Sequence, residues 1–311
     1  MPSSGCTTLR LREAALTRNG KRFRWLWLVA VLLLVIGAAS AYTVRWYHRF
    51  YHHVTQQELS HEVRHSTFPA SIRNGPPLEL QLYQQENAKN QPLVLFTSGD
   101  GGWSPFCADV AAHIAATGMT VVGFDAKTYL TTFATPKNPV TTEEITRDYD
   151  ALAHVALSRP GVDAATPLVL AGWSLGADYS VMVASQPEFN RPVSRVVAIS
   201  LPEYGELAWQ PSDSIIYLTH GTPHEKNFDV HQYLKLNHTP IVFVNASDDD
   251  TAPLRDAKAL YDTASGAKRF YAVKARGHHF EGGEKEFYQD LDTGLSLPDV
   301  AANGAASSSR N

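Results

Sequence analysis

The sequence predicts an α/β domain whose mainly parallel sheet is covered by helices on both faces. Short apolar runs alternate with helical stretches along residues 78–292, as expected for parallel strands joined by right-handed crossovers. Several of these runs are apolar at every position, which is typical of strands buried on both faces. One run leads directly into a serine flanked by two glycines, a pattern that indicates a sharp strand-to-helix turn.

The predicted elements start with residues 78–83, where apolar and polar side chains alternate as in a half-buried edge strand. Further strands are predicted at 92–97, 120–124, 168–171, 195–200, 241–245 and 269–273, and helices at 106–117 and 141–158. Residues 201–239 are aromatic and irregular, and we expect a cap or lid beside the site there. Residues 293–311 are expected to be disordered, because the tail is rich in Ala, Ser, Asn and Gly.

An uncharged apolar run at residues 25–44 precedes this domain. At 1.5 Å per residue it is long enough to span the hydrocarbon core of a bilayer, roughly 30 Å thick. The basic residues of segment 1–24 predict that this segment is cytoplasmic and that the rest of the chain lies outside. We favour an uncleaved anchor, because aromatic residues lie at both ends of the run. Ala39-Ser40-Ala41 also fits a signal-peptide cleavage site, which would release a soluble exported protein.

Charge argues against a nucleic-acid-binding protein, and cysteine content argues against a protein built on disulfides or on a cysteine metal site. Segment 1–44 holds six of the 27 basic residues and one of the 31 acidic residues, so the remainder has a net charge of -9. An acidic main domain does not predict a nucleic-acid surface. Cys6 and Cys107 lie far apart and form neither a disulfide framework nor a paired metal-ligand spacing.

The stem at residues 45–77 contains a metalloprotease-like pattern, His61-Glu62-Val63-Arg64-His65. Such a zinc site needs both histidines on one rigid helix. Pro69, Gly75 and the prolines that follow would soon end any helix, so we interpret the stretch as a solvated stem. No metal and no cofactor are predicted.

The turn at residues 172–176 is the strongest candidate for a catalytic site. A serine that points up from a strained turn needs small residues two positions before and after it, so that strand and helix can close against each other. Gly172 and Gly176 meet that demand, and an apolar helix start follows. We therefore interpret Ser174 as the nucleophile of a nucleophile elbow.

An acid and a histidine follow the serine in the order that this arrangement requires. The imidazole takes the proton of the serine, and the carboxylate orients the imidazole. Asp249 is favoured as the acid because it lies four residues before Pro253, and His278 is favoured as the base because it follows Gly277 directly. The alternatives that stay open are Asp248, Asp250 and His279.

A glycine-rich loop, Ser98-Gly-Asp-Gly-Gly-Trp103, follows the strand at 92–97. Its glycines free backbone N–H groups to approach a ligand, which suits an oxyanion hole. A phosphate-binding loop of the Walker type would end in Lys-Ser/Thr, and Trp103-Ser104-Pro105 does not provide this pair.

This loop, the elbow with Ala177-Asp178 after it, and Gly277-His-His-Phe280 together resemble the VirJ/AcvB-like branch of the α/β-hydrolases. The resemblance covers about residues 90–285, is weakest across 201–239 and is absent from the stem. Trp173 and Leu175 stand where that family usually shows an aromatic residue and a phenylalanine, a mild departure in the elbow.

The resemblance implies an α/β-hydrolase fold and an exported enzyme of the bacterial inner membrane, with its catalytic domain in the periplasm. Family members remove the aminoacyl group from aminoacylated phosphatidylglycerol, such as lysyl- or alanyl-phosphatidylglycerol, so a membrane phospholipid is the implied substrate. Ser174 would attack the aminoacyl carbonyl, with His278 and Asp249 in support. Backbone N–H groups of Leu175 and Asp100 would form the oxyanion hole. The residues implied to contact the substrate are Asp100, Trp103 and Asp178, of which either aspartate would attract its amino group.

Two other functions stay open from the sequence. One is a generic periplasmic esterase or thioesterase that acts on a soluble substrate. The other is a non-catalytic interaction protein of the cell envelope that keeps the hydrolase fold as a scaffold. A complete set of serine, histidine and aspartate counts against the scaffold.

Overall fold

The computed structural model describes residues 26–42, 63–165, 167–210 and 227–296. The chain divides into two units between residues 56 and 57. In the first unit, residues 26–42 form a helix, α1. Within the described ranges no helix is both long and apolar enough to cross a membrane. The predicted segment 1–24, both ends of the predicted span 25–44 and most of the stem lie outside the described residues.

The second unit is built on an eight-stranded sheet in the order β1-β2-β4-β3-β5-β6-β9-β10. The six strands from β4 to β10 run parallel, and β1 and β2 are antiparallel to their neighbours. A separate antiparallel pair, β7 and β8, lies in the predicted cap segment. The strands are β1 Val63–Ala70, β2 Leu78–Gln85, β3 Leu93–Thr97, β4 Thr120–Phe124, β5 Leu168–Trp173, β6 Val193–Ile199, β7 Tyr204–Glu206, β8 Asn227–Asp229, β9 Ile241–Asp248 and β10 Lys268–Arg276.

Seven helices of this unit are described. They are α2 Pro105–Ala116, α3 Ala126–Phe133, α4 Thr142–Leu157, α5 Leu175–Ser185, α6 Val230–Leu236, α7 Leu254–Thr263 and α8 Glu284–Ser296. Local sequence explains where several begin: Ser104 caps α2 ahead of Pro105, and Thr141 and Glu144 form a capping box at α4. The central strands β3, β4 and β5 are buried at every residue, as predicted for strands covered on both faces.

The start of the domain differs from the sequence prediction. Residues 63–70 were assigned to a solvated stem, but they form β1, and β2 is therefore the second strand instead of the edge. Only Val63, Phe68 and Ala70 of β1 are buried, so its sequence carries little of the alternation that reveals a half-buried strand. This exposure is typical of a strand at the edge of a sheet.

The metalloprotease-like pattern ends inside this strand. His65 lies in β1, where its Nε2 is 2.8 Å from Gln81 Oε1 and its ring stacks on Tyr83. Residues 63–65 therefore lack the helical backbone that would bring two histidines to one face. His61 and Glu62 lie outside the described residues.

The cap and the tail were predicted only in outline. Residues 201–210 and 227–239 supply β7, β8 and α6, and residues 211–226 lie outside the described part. Helix α8 continues to Ser296, so residues 293–296 are helical and not part of a disordered tail. The remaining tail, 297–311, is also outside the described residues.

An ion pair ties the β1–β2 connection to the helical layer. Arg73 Nε donates to both carboxylate oxygens of Asp148, at 3.0 and 2.8 Å, and the Tyr129 hydroxyl donates to the same carboxylate at 2.6 Å. The side chain of Asp148 is only 6% exposed. Removing the arginine would leave a buried carboxylate without its cation, and a loss of this kind is strongly destabilising.

We expect Arg73→Ala to lower the free energy of unfolding by about 3 kcal/mol. The matched control is Arg64→Ala, which removes the ion pair with Glu86 between two well-exposed side chains and should cost less than about 1 kcal/mol. Urea unfolding followed by circular dichroism measures both changes. Equal losses in the two variants would contradict the structural role given to Arg73.

Candidate active site

Ser174 occupies a strained turn between β5 and α5. Its backbone lies in the left-handed region, with φ 54° and ψ -126°, and its N–H donates to the carbonyl of Ile199 at 2.9 Å. A Cβ atom on Gly172 would lie 2.1 Å from the carbonyl of Gly176, and one on Gly176 would lie 2.1 Å from the carbonyl oxygen of Thr97. Only glycine fits at either position, which is the geometry expected for a nucleophile elbow.

The structure selects one aspartate and one histidine from the candidates. Strands β9 and β10 are neighbours, and their last residues pair as Asp248 with Arg276, so the two following loops leave the sheet side by side. His278 Nδ1 lies 3.0 and 2.9 Å from the two carboxylate oxygens of Asp249. Asp248 and Asp250 are exposed, whereas the side chain of Asp249 is fully buried.

The carboxylate of Asp249 is held in its ionised form. Burial by itself would raise the pKa of Asp249, but the hydrogen bond and charge of His278 and the backbone N–H of Ala252 lower it further than burial raises it. The N–H groups of Thr251 and Ala252 both donate to Asp249 Oδ1 at 2.9 Å. The net result is a pKa below the ordinary value for aspartate.

The indole of Trp173 connects the elbow to the histidine loop. Its Nε1–H donates to the backbone carbonyl of His278 at 3.1 Å, and its ring centroid lies 5.0 Å from that of His278. His278 Nε2 is buried and has no hydrogen-bond partner among the described residues. The nitrogen that a catalytic histidine offers to its serine is therefore not engaged elsewhere in this part of the chain.

His279 packs among aromatic rings and does not contact the acid. Its ring lies 4.6 Å from Trp173 and edge-on to Phe106 at 5.4 Å. Burial, with a smaller contribution from the charge of His278, lowers the pKa of His279 to about 3. A neutral ring in this position supports the loop that carries His278.

The glycine-rich loop lies against the nucleophile. A Cβ atom on Gly99 would lie 3.1 Å from the Trp173 ring and 3.2 Å from Ser174 Cβ. The turn is closed by the N–H of Gly102, which has φ 91° and donates to the carbonyl of Gly99 at 3.0 Å. Burial raises the pKa of the Asp100 carboxyl, and the charge of His278 partly offsets this effect. The loop is thus placed as an oxyanion loop would be, beside the N-terminus of α5.

Trp103 was predicted to contact the substrate, but the structure places its ring over the sheet towards β2. The ring lies 5.8 Å from Phe96 and 6.4 Å from Tyr83, and it fills the space above Gly123, where a Cβ atom would be 2.0 Å away. A substrate contact of Trp103 stays a prediction.

Asp178 lies one helical turn after the serine and is 1% exposed. Neither carboxylate oxygen has a hydrogen-bond partner in the described part of the chain. Burial and the charges of Glu206 and Asp100 raise the pKa of Asp178 well above its ordinary value. Glu206, on β7, is itself 3% exposed.

The sequence does not reveal the contact between Trp173 and the histidine loop, or the burial of Glu206 near Asp178. Trp173 occupies the variable position of the elbow pattern between Gly172 and Ser174, and nothing in that position indicates that its side chain reaches His278. Glu206 stands alone in an irregular segment. No motif or periodicity would have singled it out. Metal-ligand clusters of three or more side chains are absent from the described residues.

The fold and the site define an α/β-hydrolase. The chain belongs to the family described as bacterial virulence protein (VirJ), which matches residues 91–291. A comparison with curated proteins finds no match.

Similar solved structures show the same fold at low sequence identity. A putative dienelactone hydrolase from Klebsiella pneumoniae is 14% identical with a TM-score of 0.56, over 76% of this chain and 99% of that one. Est1E from Butyrivibrio proteoclasticus is 11% identical with a TM-score of 0.52, over 74% and 97%. An alpha-beta serine hydrolase homologue from Coxiella burnetii is 14% identical with a TM-score of 0.52, over 75% and 97%.

The depressed pKa of His279 predicts a specific pH dependence of stability. The pKa is about 3 in the folded chain and near 6.5 when the chain is unfolded, so the unfolded state binds more protons between these values. The free energy of unfolding therefore falls as pH decreases through this window. Relative to pH 7, this one group should cost about 2 kcal/mol at pH 5.

His279→Phe keeps an aromatic ring and removes the titration. We expect the loss of unfolding free energy between pH 7 and pH 5 to be about 2 kcal/mol smaller in this variant than in the wild type. The control His154→Gln changes an exposed histidine on α4 and should keep the wild-type pH dependence. Parallel pH curves for His279→Phe and the wild type, from urea unfolding, would refute the buried neutral state.

Proposed function

We propose that the protein is a serine esterase that uses Ser174, His278 and Asp249 as its catalytic triad. The observation that carries this proposal is the pair formed by Asp249 and His278 Nδ1, together with the unengaged Nε2 of the same imidazole. This histidine and aspartate lie beside the elbow, where only glycine fits at the positions two residues before and two residues after Ser174. A buried carboxylate, an oriented imidazole and an elbow serine are the parts that acyl transfer needs.

The reaction has two halves. Ser174 Oγ attacks the ester carbonyl while His278 Nε2 takes its proton, and the resulting imidazolium donates that proton to the departing alcohol. Water then attacks the acyl-enzyme with His278 as base, which releases the acid and restores the serine. The ionised Asp249 keeps Nδ1 protonated and stabilises the imidazolium at each stage.

The oxyanion would be bound by backbone N–H groups of Leu175 and Asp100. Leu175 begins α5, so its N–H belongs to the unpaired donors at a helix N-terminus. Asp100 lies in the loop that contacts the elbow through Gly99. Two donors aimed at one oxygen stabilise the tetrahedral intermediate more than the flat ground-state ester.

For the substrate, we propose the aminoacyl ester of aminoacylated phosphatidylglycerol, such as the lysyl or alanyl form. The VirJ family assignment and the acidic residues Asp100 and Asp178 beside the elbow support an acyl group that carries a positive charge. The proposal places the domain in the periplasm, anchored by residues 25–44 in the inner membrane. Anchoring would raise the effective concentration of a lipid substrate at the site.

The decisive experiment offers lysyl- and alanyl-phosphatidylglycerol in mixed micelles to the full chain and measures the free amino acid released. We expect release by the wild type and its loss in Ser174→Ala and His278→Ala. Cleavage of a short acyl ester but not of either lipid would refute the lipid substrate and favour a soluble ester or thioester. If the wild type cleaves neither, the scaffold interpretation gains and the esterase proposal fails.

Substitutions at two neighbouring aspartates test which carboxylate is the acid of the triad. Asp249→Asn keeps the shape of the side chain but no longer holds the imidazole in its productive tautomer, so kcat should fall on the order of 1,000-fold or more. Asp250→Asn changes an exposed carboxylate on the next residue and should alter kcat less than about two-fold. The measurement is steady-state hydrolysis of a short acyl ester. A similar kcat in the two variants would remove Asp249 from the triad.

A further inference from the structure

The glycine-rich loop at residues 98–103 is held from two sides. On one side it meets the elbow, since a Cβ atom on Gly99 would lie 3.2 Å from Ser174 Cβ. On the other side it meets Asp125, the residue that follows β4, because β4 pairs with β3 on the side away from β5. The contact with Asp125 involves no member of the triad, so the triad does not explain it.

The carboxylate of Asp125 uses each of its oxygens for a different hydrogen bond. Oδ1 accepts the N–H of Thr128 at 2.8 Å, which caps the N-terminus of α3. Oδ2 accepts the N–H of Trp103 at 2.9 Å, and this bond joins the end of the loop to the start of α3. A helix cap needs one acceptor, which serine or asparagine supplies about as well as aspartate. The loop uses the second oxygen that a carboxylate offers.

Gly102 brings the loop close to this carboxylate. Its φ is 91°, and a Cβ atom there would lie 2.9 Å from Asp125 Oδ2. The Gly102 N–H also donates to the carbonyl of Gly99 at 3.0 Å, which closes the turn that contains Asp100. Holding residues 102 and 103 therefore also holds this turn, and with it the backbone N–H of Asp100.

The first residue of the loop is anchored to the same helix start. Ser98 Oγ accepts the N–H of Ala126 at 3.0 Å and donates to the carbonyl of Gly99 at 3.0 Å. Between the two anchors lies Gly101, which is exposed. A Cβ atom there would meet no heavy atom of the described chain within 4 Å. Residues 125 and 126 thus hold both ends of the loop, whereas its tip is exposed.

This anchoring bears on catalysis because an oxyanion hole works by preorganisation. Donors that already point at the developing charge need no reorganisation when the tetrahedral intermediate forms, and a small misplacement of the reacting groups is costly. Glycine adopts many backbone conformations, so a loop with three glycines does not hold one arrangement by itself. The hydrogen bonds to Asp125 and Ser98 remove this freedom.

We propose that Asp125 is a positioning residue, whose carboxylate holds the glycine-rich loop so that the N–H of Asp100 can bind the oxyanion. The inference rests on the serine esterase proposed above and adds a residue outside the triad to it. Asp125 touches neither the substrate nor the reacting atoms in this role. It acts through the backbone of Trp103 and Gly102.

The substitution Asp125→Ser separates the two hydrogen bonds. A serine keeps the cap of α3, so the melting temperature should change by less than about 2 °C. Its single short side chain cannot also hold the loop, so we expect kcat for a short acyl ester to fall at least about ten-fold. KM should change less than about three-fold, because the loss falls on the transition state.

Asp229→Ser is the matched control. Asp229 is exposed and caps α6 by accepting the N–H of His231 at 2.8 Å, so the same substitution at this position changes only a helix cap. We expect wild-type kcat in this variant. An equal fall in kcat in the two variants would show that a weakened helix cap is sufficient, and it would overturn the positioning role of Asp125.

A pair of ketone inhibitors reports on the oxyanion directly. When Ser174 Oγ adds to the carbonyl carbon of a trifluoromethyl ketone, its proton passes to His278 and the carbonyl oxygen becomes an oxyanion, as in the tetrahedral intermediate. The methyl ketone of the same length binds without this addition. We expect Asp125→Ser to lower the preference for the trifluoromethyl ketone at least about ten-fold, and Asp229→Ser to keep it.

The outcomes separate this inference from the esterase proposal. If the wild type cleaves the ester and Asp125→Ser keeps both its kcat and its ketone preference, the positioning role is wrong and the esterase stands. A large fall in melting temperature with an unchanged ketone preference would make Asp125 a structural residue and also overturn the inference. A wild type that cleaves no ester would overturn the esterase proposal and this inference together.

Discussion

The close approach of three backbone segments is the constraint on which the site depends. Helix α5 starts so near to β5 and β3 that a methyl group at Gly172 or Gly176 would meet backbone atoms at 2.1 Å. This close contact holds the backbone of Ser174 in the left-handed region, with φ 54°. It also brings the loop after β3 against the serine, where a single extra carbon at Gly99 would crowd the elbow. Ser174 and the glycine-rich loop are therefore positioned by the same set of backbone contacts.

The parallel sheet brings the remaining groups to the same edge. Because strands β5, β9 and β10 are parallel, they all end at the same edge of the sheet, and Ser174 and the loops that carry Asp249 and His278 follow them there although about a hundred residues separate the first from the last. Aromatic packing then fixes the histidine loop, because the indole of Trp173 bonds to its backbone and His279 fills the space between Trp173 and Phe106. A neutral His279 suits this position, since a charged ring there would interact unfavourably with the neighbouring His278.

Stability and function make opposite demands on the acidic side of the site. The Asp178 carboxyl group, buried without a hydrogen-bond partner among the described residues, weakens the folded state, whereas the Asp148 carboxylate in the helical layer is paired with Arg73. The Asp148 carboxylate, which stabilises the fold, is hydrogen-bonded, whereas the Asp178 carboxylate near the serine has no hydrogen-bond partner in the described part of the chain. Such groups are retained at sites where a ligand completes them.

Local sequence determined the α/β class, the buried strands, the elbow and the order of serine, acid and histidine, because each depends on residue size or periodicity over a few positions. Only the tertiary structure decided that Asp249 and not its exposed neighbours meets His278, since adjacent aspartates look alike until β9 and β10 set their register. The same holds for the mostly exposed strand β1 and for the burial of Glu206. Both depend on contacts made only in the folded chain, and such contacts leave no local pattern in the sequence.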